Sequence, residues 1–244
     1  MRGRAGFELC AETVEAARIA DTCGADRVEL CVNLAVGGTT PALKMTKAAI
    51  AAISIPLHVL VRPRAGNFVY TQTEFAQMKN EIREAGAVGA SGVVLGVLRE
   101  DGRVDEARSR ELVDEARPMK VTFHRAFDEA PEPGEALEAV LAAGADWLLT
   151  SGGERNVAEG AETLAWLVRQ ANGRIQVMGG GGLRLDNMVE VIRATGVEWV
   201  HSSLLRGVEQ GEMSEGNCRG AMGMLDALRA DVREAMRLLR DGEL

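Results

Sequence analysis

The chain has 244 residues, a net charge of -8, one Tyr and five Phe, and so offers neither the basic footprint nor the stacking platform of a nucleic-acid binder. Met1-Arg2-Gly3-Arg4 is not followed by the apolar core of a secretory signal, and no uninterrupted apolar run approaches the ~20 residues that span a bilayer, so a cytoplasmic protein without membrane contact is expected. Four cysteines without a Cys-x-x-Cys pair make no disulfide framework and fit a reducing compartment.

The first predicted strand holds Phe7-Glu8-Leu9-Cys10, and Val28-Glu29-Leu30-Cys31 repeats it behind Gly24-Ala25-Asp26-Arg27. Successive strand side chains alternate faces, so Glu8 and Cys10 share one face, as do Glu29 and Cys31. Between them, Thr13 to Thr22 reads as a helix: Val14, Ala17, Ile19 and Ala20 form an apolar stripe, Thr13 can cap its start and Gly24 can close its end. The unit is βαβ, and two neighbouring parallel strands ending in Glu-x-Cys would gather two carboxylates and two thiols.

The period continues. Thr40-Pro41 starts a helix over Ala42 to Ile53, followed by strand Leu57 to Val61 behind Pro56. Helix Thr73 to Ala85 leads to strand Gly92 to Gly96, and helix Asp105 to Ala116 to strand Lys120 to Phe123, centred on β-branched Val121 and Thr122. Helix Pro133 to Ala143 runs into Gly144-Ala145-Asp146-Trp147, an echo of Gly24-Ala25-Asp26-Arg27. Helix Ala158 to Asn172, strand Ile175 to Met178, helix Leu185 to Thr195, strand Trp199 to His201 and a helix from about Met222 to Leu239 complete the series. Eight strand and helix units in a chain of this length predict a single-domain (β/α)8 TIM barrel, since no linker or low-complexity run divides it.

Ligands of such barrels bind where the strands end. Those ends carry Arg62-Pro63-Arg64 after the third strand, His124-Arg125-Ala126-Phe127-Asp128 after the fifth, Ser151-Gly152-Gly153 after the sixth, Gly179 to Gly182 at the seventh and His201-Ser202-Ser203 at the eighth. The chain resembles the CutC family, named for copper homeostasis, in Gly24-Ala25-Asp26-Arg27-Val28-Glu29-Leu30-Cys31, Gly37-Gly38-Thr39-Thr40-Pro41, Arg62-Pro63-Arg64, Val121 to Asp128, Leu149-Thr150-Ser151-Gly152 and His201-Ser202-Ser203. The resemblance implies a (β/α)8 barrel, a homo-oligomer, a role in copper homeostasis and Cu(I) bound through Cys10 and Cys31. Soft thiolates do select Cu(I) over hard divalent ions. A free Cys is also commonly a small buried hydrophobe, and the reading of Cys10 and Cys31 stays open between the two.

The competing expectation is an enzyme acting on a phosphorylated or carboxylated small molecule. Arg62, Arg64 and Arg125 could clamp an anion, with Ser151, Gly180, Gly181, His201 and Ser202 as further ligand-binding positions. Glu8, Glu29, His124 and Asp128 would supply acid/base chemistry. Plainer readings stand beside these: the glycines make a tight turn, Arg62 and Arg64 neutralise Glu8 and Glu29 inside the barrel mouth, and His58 lies deep in a structural role. No lysine stands at a strand's C-terminal end for Schiff-base chemistry, and neither a dinucleotide fingerprint nor a P-loop is present, so no organic cofactor is expected. The partner is a copper ion or a small anionic ligand. The segment Leu204 to Gly220 is too long for an ordinary connection and is expected to form an oligomer contact, with a lid or a solvated loop as the other readings.

Overall fold

The computed structural model describes residues 4–204 and 218–241. Eight parallel strands close into a barrel in sequence order, β1 pairing with both β2 and β8. They are β1 (Gly6–Ala11), β2 (Arg27–Leu30), β3 (Leu57–Leu60), β4 (Gly92–Leu95), β5 (Lys120–Phe123), β6 (Trp147–Thr150), β7 (Gln176–Gly180) and β8 (Trp199–Ser202). Around them run α1 (Val14–Cys23), α2 (Leu43–Ile50), α3 (Gln72–Ala87), α4 (Glu106–Ala116), α5 (Pro133–Ala143), α6 (Ala161–Ala171), α7 (Met188–Thr195) and α8 (Cys218–Asp241).

The element ends follow local chemistry. Thr13 Oγ1 accepts the N–H of Ala16 at 3.0 Å, and Gly24 closes α1 in the left-handed region at φ 87°. Gly144 closes α5 in the same way at φ 85°. The two echoed aspartates then do the same work: Asp26 accepts the N–H of Phe7 at 2.8 Å and Asp146 that of Val121 at 2.9 Å, each fixing the start of the preceding strand. The repeat seen in the sequence is thus a device for anchoring one strand to the turn that enters the next.

Three predicted helix starts move by three residues or more, and α8 begins at Cys218 instead of about Met222. α6 begins at Ala161 instead of Ala158, because Asn156 Oδ1 takes the N–H groups of Ala158 and Glu159 and holds a turn there. α7 begins at Met188 instead of Leu185, because Asn187 Oδ1 accepts from Arg184. The expected oligomer segment Leu204 to Gly220 falls, apart from its ends, outside the described residues.

Apolar residues pack between the strands and the helices, for example Phe7, Leu9, Val28 and Leu30 against Ala17 and Ile19. Each such fully buried Leu, Ile, Val or Phe contributes about 1.5–3 kcal/mol. The inner face of β1 and β2 is charged instead. Glu8, Arg27, Glu29 and His58 are all buried, with Glu8 opposite Arg27 and His201, and Glu29 opposite His58. Below them the Arg27 guanidinium lies 4.2 Å from the Trp147 ring and 4.9 Å from that of Trp199.

Candidate metal centre and cavity at the barrel mouth

Alternation along β1 and the end of β2 turns Cys10 and Cys31 into the barrel, where their sulfurs stand 3.4 Å apart. Glu29 Oε1 is 3.4 Å from Cys10 Sγ, and the three potential ligand atoms lie within 4.8 Å of one another. Leu34, Leu60 and Val94 wall the thiols on the apolar side. The Gly37-Gly38 turn passes over Cys31: Gly38 sits at φ 83°, and a Cβ there would meet Leu60 at 2.7 Å and Cys31 Sγ at 3.6 Å. Glycine is required both by the backbone and by the space.

The thiol of Cys10 is pushed well above its ordinary range by its hydrogen bond to Cys31, by burial and by the charge of Glu29. Burial, with the nearby charge of Glu8, also raises the Glu29 carboxyl, and its Oε2 is buried with no hydrogen-bond partner. The donor chemistry therefore suits a soft cation: two sulfurs and one carboxylate converge, and among the described residues no further histidine or cysteine of the kind zinc usually takes joins them.

A second cluster adjoins the first. His201 Nδ1 is 2.7 Å from Glu8 Oε1, and Glu8 also takes the Nε–H of Arg27. Burial alone would raise the Glu8 carboxyl; Arg27 and the hydrogen bond and charge of His201 outweigh it and hold Glu8 well below the usual carboxylate range. Burial likewise works against a charged His201, and the carboxylates of Glu29 and Glu8 reverse that and raise it.

Arg62 and Arg64 do not neutralise Glu8 and Glu29, contrary to the sequence reading. Arg62 donates to the carbonyls of Val36, Gly38 and Gly66 at 2.7–2.9 Å. Arg64 turns outward to Glu74 and to the carbonyls of Asn67 and Val69. The counter-charge inside the barrel is Arg27, which the sequence reading passed over. Its signal was available, since Arg27 stands two residues before Glu29 and so shares its face.

The mouth opens into a cavity of about 370 Å³ lined by Cys10, Glu29, Arg62, His124, Arg125 and His201 among others. Gly181 and Ser202 reach it too. Glu8 and Cys31 lie just beneath, whereas Arg64, Asp128, Ser151 and Gly180 are outside its lining. Asp128 is fully engaged: Thr150, Ser151, Gly153 and Arg125 all donate to its carboxylate. Ser151 Oγ in turn donates to Asp128 and accepts from Arg125, so this trio ties the β5 loop to the β6 loop. Gly180 permits close packing, because a Cβ there would meet Leu149 at 2.7 Å. Gly181, at φ 91°, makes room for the Arg125 guanidinium, which would lie 2.7 Å from its Cβ. Ser202 Oγ donates to the carbonyl of Leu183.

His124 caps the short 3-10 turn Arg125–Glu129, its Nδ1 accepting the N–H of Ala126 at 3.1 Å. That bond puts the ring proton on Nε2. Burial, aided by the charge of Arg62, lowers its pKa to about 3, so the ring is a neutral donor at physiological pH. His58 is likewise lowered to about 3 by burial and Arg27, and it stacks into the space left by Gly92, in the structural role expected of it.

The CutC family profile matches residues 5–206. A CutC family protein of Mesorhizobium japonicum is 45% identical over 202 residues, covering 83% of this chain and 78% of the relative. The copper homeostasis protein cutC homolog of Homo sapiens is 41% identical over 217 residues, 89% of this chain and 79% of that protein. The crystal structure of the putative copper homeostasis protein CutC from Streptococcus agalactiae superposes with a TM-score of 0.78 at 32% identity, over 82% of this chain and 100% of that one. The chain, with its closed barrel and paired strand-end cysteines, belongs to the CutC family.

Proposed function

We propose that this protein binds Cu(I) at Cys10 and Cys31 and serves copper homeostasis. The observation that carries the reading is the 3.4 Å approach of two free, buried thiols beside a carboxylate whose outer oxygen has no partner. Two thiolates are soft donors suited to a monovalent d10 cation, and the apolar wall of Leu34, Leu60 and Val94 excludes competing water. Glu29 would balance charge and offer a third donor. The relatives named for copper homeostasis support the same reading. Free thiols also favour a reducing compartment, and we place the protein in the cytoplasm on that ground. Assembly as a homo-oligomer rests on the family resemblance.

The test is an anaerobic Cu(I) titration against a competing chelator, on the native chain and on Cys10→Ser/Cys31→Ser. Tight stoichiometric binding that disappears in the double variant is the expected outcome. Binding that the double variant retains would sink the cysteine-pair reading.

A further inference from the structure

The wall of the cavity formed by the ends of β3 and β5 carries a charge that no group among the described residues answers. Arg62 is 5% exposed, and its described ion-pair partners are none; its two terminal nitrogens spend their hydrogen bonds on neutral carbonyls. Its Nε has no partner. Glu129 senses the charge but is exposed and makes no ion pair with it. A buried cation without an anion is costly, so proteins pair such groups or leave them for a ligand.

His124 adds a second unsatisfied group. It is 6% exposed and lines the same cavity, and its Nε2, which carries the ring proton, has no acceptor. The Phe68 ring holds the two together, with its centroid 4.9 Å from the Arg62 guanidinium carbon and 4.9 Å from the imidazole centroid. The buried Tyr70 hydroxyl interacts with Arg62 as well, but as a neutral group it leaves the charge unanswered. Among the described residues, donors and positive charge accumulate here without a charged acceptor. Leu60, Phe68 and Leu149 supply an apolar surface beside them. The volume of about 370 Å³ is at the lower end of ordinary small-molecule sites.

We propose that the cavity binds a small organic anion, a carboxylate or a phosphate ester, with its charged group against Arg62 and the Nε2–H of His124 and its apolar body against Phe68 and Leu149. This site, built on the ends of β3 and β5, adjoins the thiol pair through the neighbouring strand β2 but uses neither sulfur, and so does not depend on copper. It revises the anion clamp expected from the sequence, because Arg64 has left it and Arg125 is tied to Asp128.

The experiment is thermal denaturation of the full chain without copper, in chloride buffers of matched ionic strength. Inorganic phosphate is titrated in one arm and succinate in the other. A ligand that binds only the folded state raises the Tm as its concentration passes the Kd. A saturable rise with one of the two probes, unchanged in Cys10→Ser/Cys31→Ser, is expected, and the probe that produces it distinguishes phosphate from carboxylate. Arg62→Gln should raise the half-saturating concentration at least tenfold. Leu34→Trp, which narrows the half-buried rim without touching Arg62 or His124, should do the same and decides the matter where Arg62→Gln does not fold. A Tm no higher than in chloride with both probes overturns the proposal, as does a rise that survives Leu34→Trp.

Discussion

Glu8 and Arg27 form an ion pair across β1 and β2 in which both side chains are sealed from solvent, at 0% and 3% exposure. The pair is held from several directions: His201 bonds the other oxygen of Glu8, and Trp147 and Trp199 flank the guanidinium. A barrel interior of this kind is usually filled by Val, Ile and Leu. Here ionic chemistry replaces part of that packing just beneath the thiols.

Removing one partner strands the other. Arg27→Met should destabilise the chain by about 3–5 kcal/mol, because Glu8 would remain buried beside only His201. Glu8→Leu/Arg27→Met should recover part of that loss. Denaturant midpoints for the two variants test it; equal stability of the single variant and the native chain would contradict the assigned role of the pair.

Acid should weaken the fold well above the ordinary carboxylate range. His58 and His124, each lowered to about 3, stay neutral in the fold while the unfolded chain binds their protons below about pH 6.5. The unfolded state then holds more protons, so stability falls with pH through the window from about 6.5 to 3, by on the order of 1 kcal/mol per unit for each ring. Glu8, whose folded value is depressed, adds loss below about 4.5 in the same direction. His201 is raised, so its contribution is present below about pH 6.5 and lost as pH rises through its folded value, but it is one ring against two. Urea denaturation at pH 7.5, 6 and 5 should give steadily lower midpoints, and His58→Gln should flatten the trend.

Copper affinity should rise with pH. The thiol of Cys10 is protonated in the free protein, and a metal ligand must be deprotonated, so binding releases protons. The apparent affinity for Cu(I) should increase between pH 6 and 8 by up to about tenfold per unit for each proton released. Glu29→Gln should weaken binding by about 10–100-fold if its carboxylate supports the sulfurs. A pH-independent affinity would place the copper elsewhere.

Packing at the floor of the barrel leaves one position no slack. A Cβ on Gly92 would lie 2.5 Å from the His58 ring, which Thr122 and the neighbouring strands confine. Gly92→Ala should cost about 1–3 kcal/mol, and His58→Ala in the same chain should restore much of it. Thermal midpoints of the single and double variants give the comparison directly.

The order of elements, the barrel and the Glu-x-Cys face could be read from the sequence alone, because period, caps and alternation are local properties of the backbone. β5 and α5 fall on the residues expected, with Pro133 opening the helix and Gly144 closing it. Strand parity also placed Cys10 with Glu8 and Cys31 with Glu29. What alternation cannot give is the partner across the barrel. That Glu8 faces Arg27 and His201, that Arg62 spends itself on carbonyls of the Gly37-Gly38 and Gly66 turns, and that Asp128 is saturated by the β6 loop were decided by strand register and loop path. These depend on closure of all eight strands, in which residues up to 193 positions apart come within hydrogen-bonding distance, and no local pattern in a chain encodes a distance of that kind.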